Sequence, residues 1–220
     1  MYMPIKGVSE AFNKLNPSVL NLKGRCFYST LNTLCQGKYY ILGYNPGGNP
    51  DNYEQNIFED FQQWPQTMMN AYLDEEWGSK IGQAPLQKNV QVLCDTLKVD
   101  TGEVFAANLI FAASENMKKL KGCVADDFKP VHEAIINIIQ PEVIFTFGMA
   151  TYREFKRLFS FDEKAAVACS KYQKLNWKCY LSERQINKKE IMLVGFPHFS
   201  FYPLRNDKKI LEWVQEICHI

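Results

Sequence analysis

The sequence predicts an α/β protein, a three-layer α/β/α sandwich around a central, mainly parallel sheet, and three observations predict it. Short apolar runs of strand length alternate with segments of helical spacing along most of the chain. Three runs end in polar groups, within GYNPGG, NLIFAASEN and GFPHFS, as expected where ligands gather outside the carboxyl ends of strands. The 220 residues, 46% hydrophobic and 22% charged, suffice for one generous core. A single domain spanning residues 1–220 is expected.

The elements follow in order. Ser9 to Gly37 carries apolar residues at mixed helical intervals, broken at Asn16-Pro17, which predicts one or two helices. KYYILGY is a strand. Asp51 to Gly82, rich in Gln, Asn, Trp, Tyr and Met, lacks clean periodicity and reads as an irregular or short-helix insertion, a kind of segment that often carries function. Leu86 to Leu97 has helical spacing, and the first part of Glu103 to Phe111 is a buried strand. Asp127 to Gln140 is a helix with Val131, Ala134, Ile135, Ile138 and Ile139 on one side. PEVIFTFG is a third buried strand, followed directly by the helix MATYREFKRLF. KAAVACSK, WKCYLSE and EIMLVGF are further strands, the last two a hairpin across RQINKK, and NDKKILEWVQEI is a closing helix.

Composition narrows function. The seven cysteines are scattered and never form CxxC, which fits buried reduced thiols rather than a disulfide framework or metal clip. No metal or cofactor is expected. No apolar run approaches the ~18 residues of a membrane helix, and the first residues lack a signal core. An intracellular protein, cytoplasmic or associated with the nucleoid or nucleus, without a membrane partner, is the expectation, and a monomer. The net charge of +1 means that affinity for nucleic acid has to come from a local patch. His132 and His219 read as structural or solvated, Asp51, Glu59 and Asp60 as a solvated face, and the lysine clusters as surface features.

GYNPGG, with Asn45 and paired glycines after the first core strand, an aromatic residue (Phe58) thirteen residues beyond Asn45, Asn108 late in the next buried run, PEVIFTFG before a helix, and PHFS at Pro197 to Ser200 stand in an ordered series. That series, from about Tyr39 to Leu204, resembles the uracil-DNA glycosylase superfamily, closest to its Asn-containing branches, which include the mismatch-specific and single-strand-selective enzymes. The resemblance implies a DNA glycosylase that hydrolyses the N-glycosidic bond of uracil, or a related altered pyrimidine, flipped out of DNA. It implies Asn45 and His198 as catalytic residues. Gly43, Tyr44, Pro46, Gly47, Gly48, Phe58, Asn108 and Ser200 would bind the substrate, and Phe58 would stack on the base. Where the family has His-Pro-Ser-Pro, this chain has His198-Phe199-Ser200-Phe201, so Phe199 and Phe201 are expected as aromatic wedges into DNA and Arg205 as a phosphate contact.

The chemistry is coherent without the resemblance. A side-chain amide offers one donor and one acceptor, matching O4 and N3–H of uracil and mismatching cytosine. Cleavage places negative charge on the leaving base, so a preplaced donor such as His198 stabilises the transition state. Asn45 is no general base, but it can orient a water. Two rival readings remain: a non-catalytic protein of the same fold, and a nucleoside- or nucleotide-processing enzyme.

Overall fold

The computed structural model describes residues 3–169, 176–186 and 188–220. Its strands are β1 (Tyr39–Gly43), β2 (Phe105–Asn108), β3 (Val143–Phe147), β4 (Asp162–Ala168), β5 (Lys178–Ile186) and β6 (Lys189–Phe196). They form one six-stranded sheet in the order β2-β1-β3-β6-β5-β4. The first four in that order run parallel, while β5 and β4 add an antiparallel edge. Parallel neighbours need crossovers, and the helical segments between the apolar runs supply them.

The helices are α1 (Met3–Phe12), α2 (Pro17–Leu20), α3 (Ile57–Gln63), α4 (Pro85–Thr96), α5 (Lys129–Ile139), α6 (Met149–Leu158) and α7 (Lys208–Ile217). Because strand side chains alternate, each strand serves two layers. Tyr40, Leu42, Phe105, Ala107, Ile144 and Leu193 pack with residues of α1, α3, α5 and α6. Tyr39, Ile41, Ala106, Val143, Phe145 and Val194 face the other way, against residues of α4 and α7. This is an α/β/α sandwich. Among the described residues, no helix is long and apolar enough to cross a membrane.

Several expected bounds move. β5 and β6 pair from Ile186↔Lys189 onward, so both strands run into the stretch expected as a loop. β4 begins at Asp162, while the end of the KAAVACSK run lies outside the described residues. β2 ends at Asn108, and just beyond it Leu109 and Ile110 donate their N–H groups to the carbonyls of Gly43 and Tyr44. Asp60 is no solvated carboxylate. It accepts the Cys26 N–H at 2.7 Å, and burial raises its pKa. Cys26, Cys94, Cys169 and Cys179 are buried thiols, but Cys35 is exposed.

The buried His132 of α5 joins β1 to the residue just after β2. Its Nε2 donates to the Leu109 carbonyl at 2.9 Å, which leaves Nδ1 to accept from the Tyr40 hydroxyl, also at 2.9 Å. Burial pushes its pKa down from 6.5 to about 4. The unfolded chain therefore binds the proton more readily, and stability contributed by the neutral ring is lost as pH falls from 6.5 towards 4, by about 3 kcal/mol in all. In urea titrations the stability gap between the native protein and His132→Leu should narrow by about 2 kcal/mol from pH 7 to pH 5. A constant gap would mean the ring charges as easily folded as unfolded.

Candidate active site

The four parallel strands end along one edge, with Gly43 beside Asn108 and Phe147 beside Phe196. The loops after β1, β2 and β6, together with segments before β1 and after α3, enclose a cavity of about 1050 Å³. Asn45, Asn108 and His198 all line it, with Tyr44, Gly47 and Ser200.

Asn45 is held by its amide nitrogen, which donates to the carbonyls of Pro46 at 2.9 Å and Ala112 at 3.3 Å and to Ser114 Oγ at 2.9 Å. Those carbonyls can only accept, so the amide cannot turn over, and Oδ1 is left to accept from a ligand or water. Ser114 also donates its N–H to the Pro46 carbonyl, locking the β1 loop to the segment after β2.

Asn108 is 4% exposed, and among the described residues its buried Nδ2 has no hydrogen-bond partner. Burial raises the pKa of the nearby Tyr28 hydroxyl and the Asn108 amide opposes that shift only in part, while among the described residues no bond of ordinary geometry reaches Nδ2. An unsatisfied buried N–H costs about 1–3 kcal/mol, which a ligand carbonyl would relieve. Gly43 makes room for this side chain, since a Cβ there would lie 2.3 Å from Asn108 Oδ1.

His198 is half-buried, and Nδ1 accepts the Ser200 N–H at 3.2 Å. The proton of the neutral ring therefore sits on Nε2, and desolvation lowers the pKa, which favours that neutral form. Asn89 of α4 fixes the loop from behind, donating Nδ2 to the carbonyls of Phe199 at 2.8 Å and Tyr202 at 3.0 Å.

Other expected residues fall elsewhere. Phe58 does not line the cavity. A capping box of Asn56 and Glu59 starts α3 so that Ile57 and Phe61 turn inward, and Phe58 is left 41% exposed on the outer side. Phe199 is no wedge, being buried and stacked on Phe147 with ring centroids 5.3 Å apart. Phe201 alone of that pair is exposed, at the cavity's rim. Gly43 and the buried Pro46 support the lining without joining it. Gly48, with φ +107°, and the exposed Arg205 also lie outside the lining.

Many of the lining residues that sequence reasoning missed come from two segments, one before β1 and one after it, and others from α4, β3 and the segment after β2. Residues 24–29 run antiparallel along β2, with Phe27 opposite Ala107, and bring Arg25 and Tyr28 to the cavity. The insertion supplies Tyr53, Tyr72, Glu75 and Trp77. Tyr53 donates its hydroxyl to the Gly47 carbonyl at 2.8 Å, which ties an aromatic ring to the glycine loop. Glu75 pairs twice with Arg25, at 2.8 and 2.6 Å, and Trp77 donates its indole N–H to the same carboxylate at 2.9 Å. Among the charged side chains lining the cavity, Arg25 and Lys118 are matched by Glu75 and Glu115.

Fold and site together define an α/β protein with a cavity rich in aromatic rings at the carboxyl ends of its parallel strands, furnished with two oriented amides and a neutral imidazole. No family model matches this chain, and a comparison with the curated proteins found no match either.

Proposed function

We propose that the protein is a DNA glycosylase that hydrolyses the N-glycosidic bond of uracil, or a related altered pyrimidine, flipped out of DNA. The observation that carries this reading is the meeting of a pinned Asn45 amide, an unsatisfied Asn108 N–H and a neutral His198 in one cavity.

In this reading Asn108 donates Nδ2 to O4 of the flipped base, and its Oδ1 accepts N3–H. Cytosine presents an amino group where uracil has O4, so two donors would meet there. Tyr53, rather than Phe58, offers the aromatic face to the base. As the C1′–N1 bond breaks, its electron pair moves onto the base, and His198 Nε2–H donates to the developing charge at O2. Asn45 Oδ1 accepts a hydrogen bond from the attacking water and aims it at C1′, and the water's second proton leaves to solvent. The work is positional and electrostatic.

A fluorescent strand carrying one deoxyuridine should acquire an alkali-labile break with the native protein and none with an Asn45→Ala/His198→Ala double variant. An intact strand in both cases, or equal cleavage in both, sinks the proposal. The balanced charge of the lining favours a second reading, a nucleoside-processing enzyme. A Kd that weakens steeply with salt for a strand, and a barely changed one for deoxyuridine, separates contact with phosphates from recognition of a neutral nucleoside.

A further inference from the structure

We infer that the cavity continues into a stacking shelf of Trp77, Leu86 and Phe201, and that this shelf binds the base next to the flipped one in a single strand. The inference rests on the glycosylase reading, because it takes the base at Asn108 as the first of two.

The cavity stands at the upper end of the roughly 300–1,000 Å³ typical of small-ligand sites, so one pyrimidine leaves room. The shelf residues line that same cavity, yet Trp77 and Leu86 are only half-buried and Phe201 is exposed. All three therefore keep apolar surface within reach of a ligand that enters the cavity from solvent. Leu86 lies one turn before Asn89 on α4, and Asn89 holds the loop that carries Phe201, so the shelf borders the His198 loop.

The indole is rigid before any ligand arrives. Its N–H is bonded to Glu75, Glu75 is paired with Arg25, and the rings of Tyr28 and Tyr72 brace it at 5.8 and 5.7 Å. A prearranged aromatic surface loses little entropy on binding. Electrostatics favours the same occupant. Arg25 is committed to Glu75, and the lining charges balance, so attachment has to draw on stacking more than on attraction to phosphates. In a duplex the neighbouring base stays in its own stack, whereas a single strand offers it freely.

The test is equilibrium binding, by anisotropy, of short labelled single strands carrying a non-cleavable 2′-fluorinated deoxyuridine. One strand has natural neighbours, and two others replace the 5′ or the 3′ neighbour by an abasic tetrahydrofuran. The natural strand should bind roughly 5- to 100-fold more tightly than one of the abasic strands. Trp77→Ala should erase that difference, and Trp77→Phe should keep most of it. Equal affinity of the native protein for all three strands overturns the inference with no variant required, and so does a neighbour effect that survives Trp77→Ala. A parallel arm, Asn108→Ala with uracil against cytosine, tests the reading beneath: an unchanged preference there sinks the glycosylase assignment, while a neighbour effect is scored independently.

Discussion

Alanine in place of His198 should slow uracil excision by about 10²–10³ in kcat, with a much smaller change in KM, because the lost donor acts on charge that exists only as the bond breaks. The structure makes the form of the donor specific. Nδ1 is occupied by the Ser200 N–H, so Nε2 carries the proton, and burial lowers the ring's pKa. The neutral imidazole should therefore dominate at pH 7, and the rate should hold steady through neutrality. Loss is expected only below histidine's ordinary value of 6.5, where a second proton on Nδ1 would oppose the Ser200 N–H. His198→Gln, which keeps an N–H donor on a side chain of similar reach, should retain more activity than alanine. Single-turnover rates across pH for the three proteins check this. A threefold or smaller loss in the alanine variant would remove His198 from the reaction.

The residues of this site differ in how far the sequence exposed them, and the reason lies in periodicity. Asn45 and His198 each follow a short apolar run, and Asn108 stands late within one. Such runs become central strands, and parallel central strands end at one edge, so meeting at that edge follows from the pattern. Tyr53, Tyr72, Glu75 and Trp77 sit in a stretch without a repeating spacing, and nothing in such a stretch says which aromatic ring turns inward. The spacing from Asn45 points to Phe58, yet the helical phase set by Asn56 and Glu59 turns it out. Phe199 and Phe201 are two residues apart in one motif, and only the folded loop, held by Asn89, separates a core ring from a rim ring. Arg25 precedes β1 and finds Glu75 fifty residues on, a pairing no local signal announces.

That pairing is where the second large effect should appear. Replacing Glu75 by Gln leaves the Arg25 guanidinium mostly buried with its Phe27 carbonyl bond and the face of Tyr28, 4.7 Å from the ring centre, but without its counter-ion. Removing one partner of a fully buried pair costs about 3–5 kcal/mol, and here both side chains keep about a fifth of their exposure, 22% and 20%, so a loss of about 2–3 kcal/mol is expected. For a chain of this size that is a fall in Tm of about 5–10 °C. Removing both charges, as Arg25→Met/Glu75→Leu, should recover part of the loss, because no desolvated charge then remains. The two variants must diverge in binding as well. Glu75→Gln still offers an amide oxygen to the Trp77 indole N–H, whereas Glu75→Leu offers no acceptor, so the stability returned by the double change should not return the preference for a strand with natural neighbours. Calorimetry beside the anisotropy titrations reads both quantities on the same samples. A loss under about 0.5 kcal/mol for Glu75→Gln would place this pair among solvated surface ion pairs, and would take away the rigidity on which the Trp77 shelf depends.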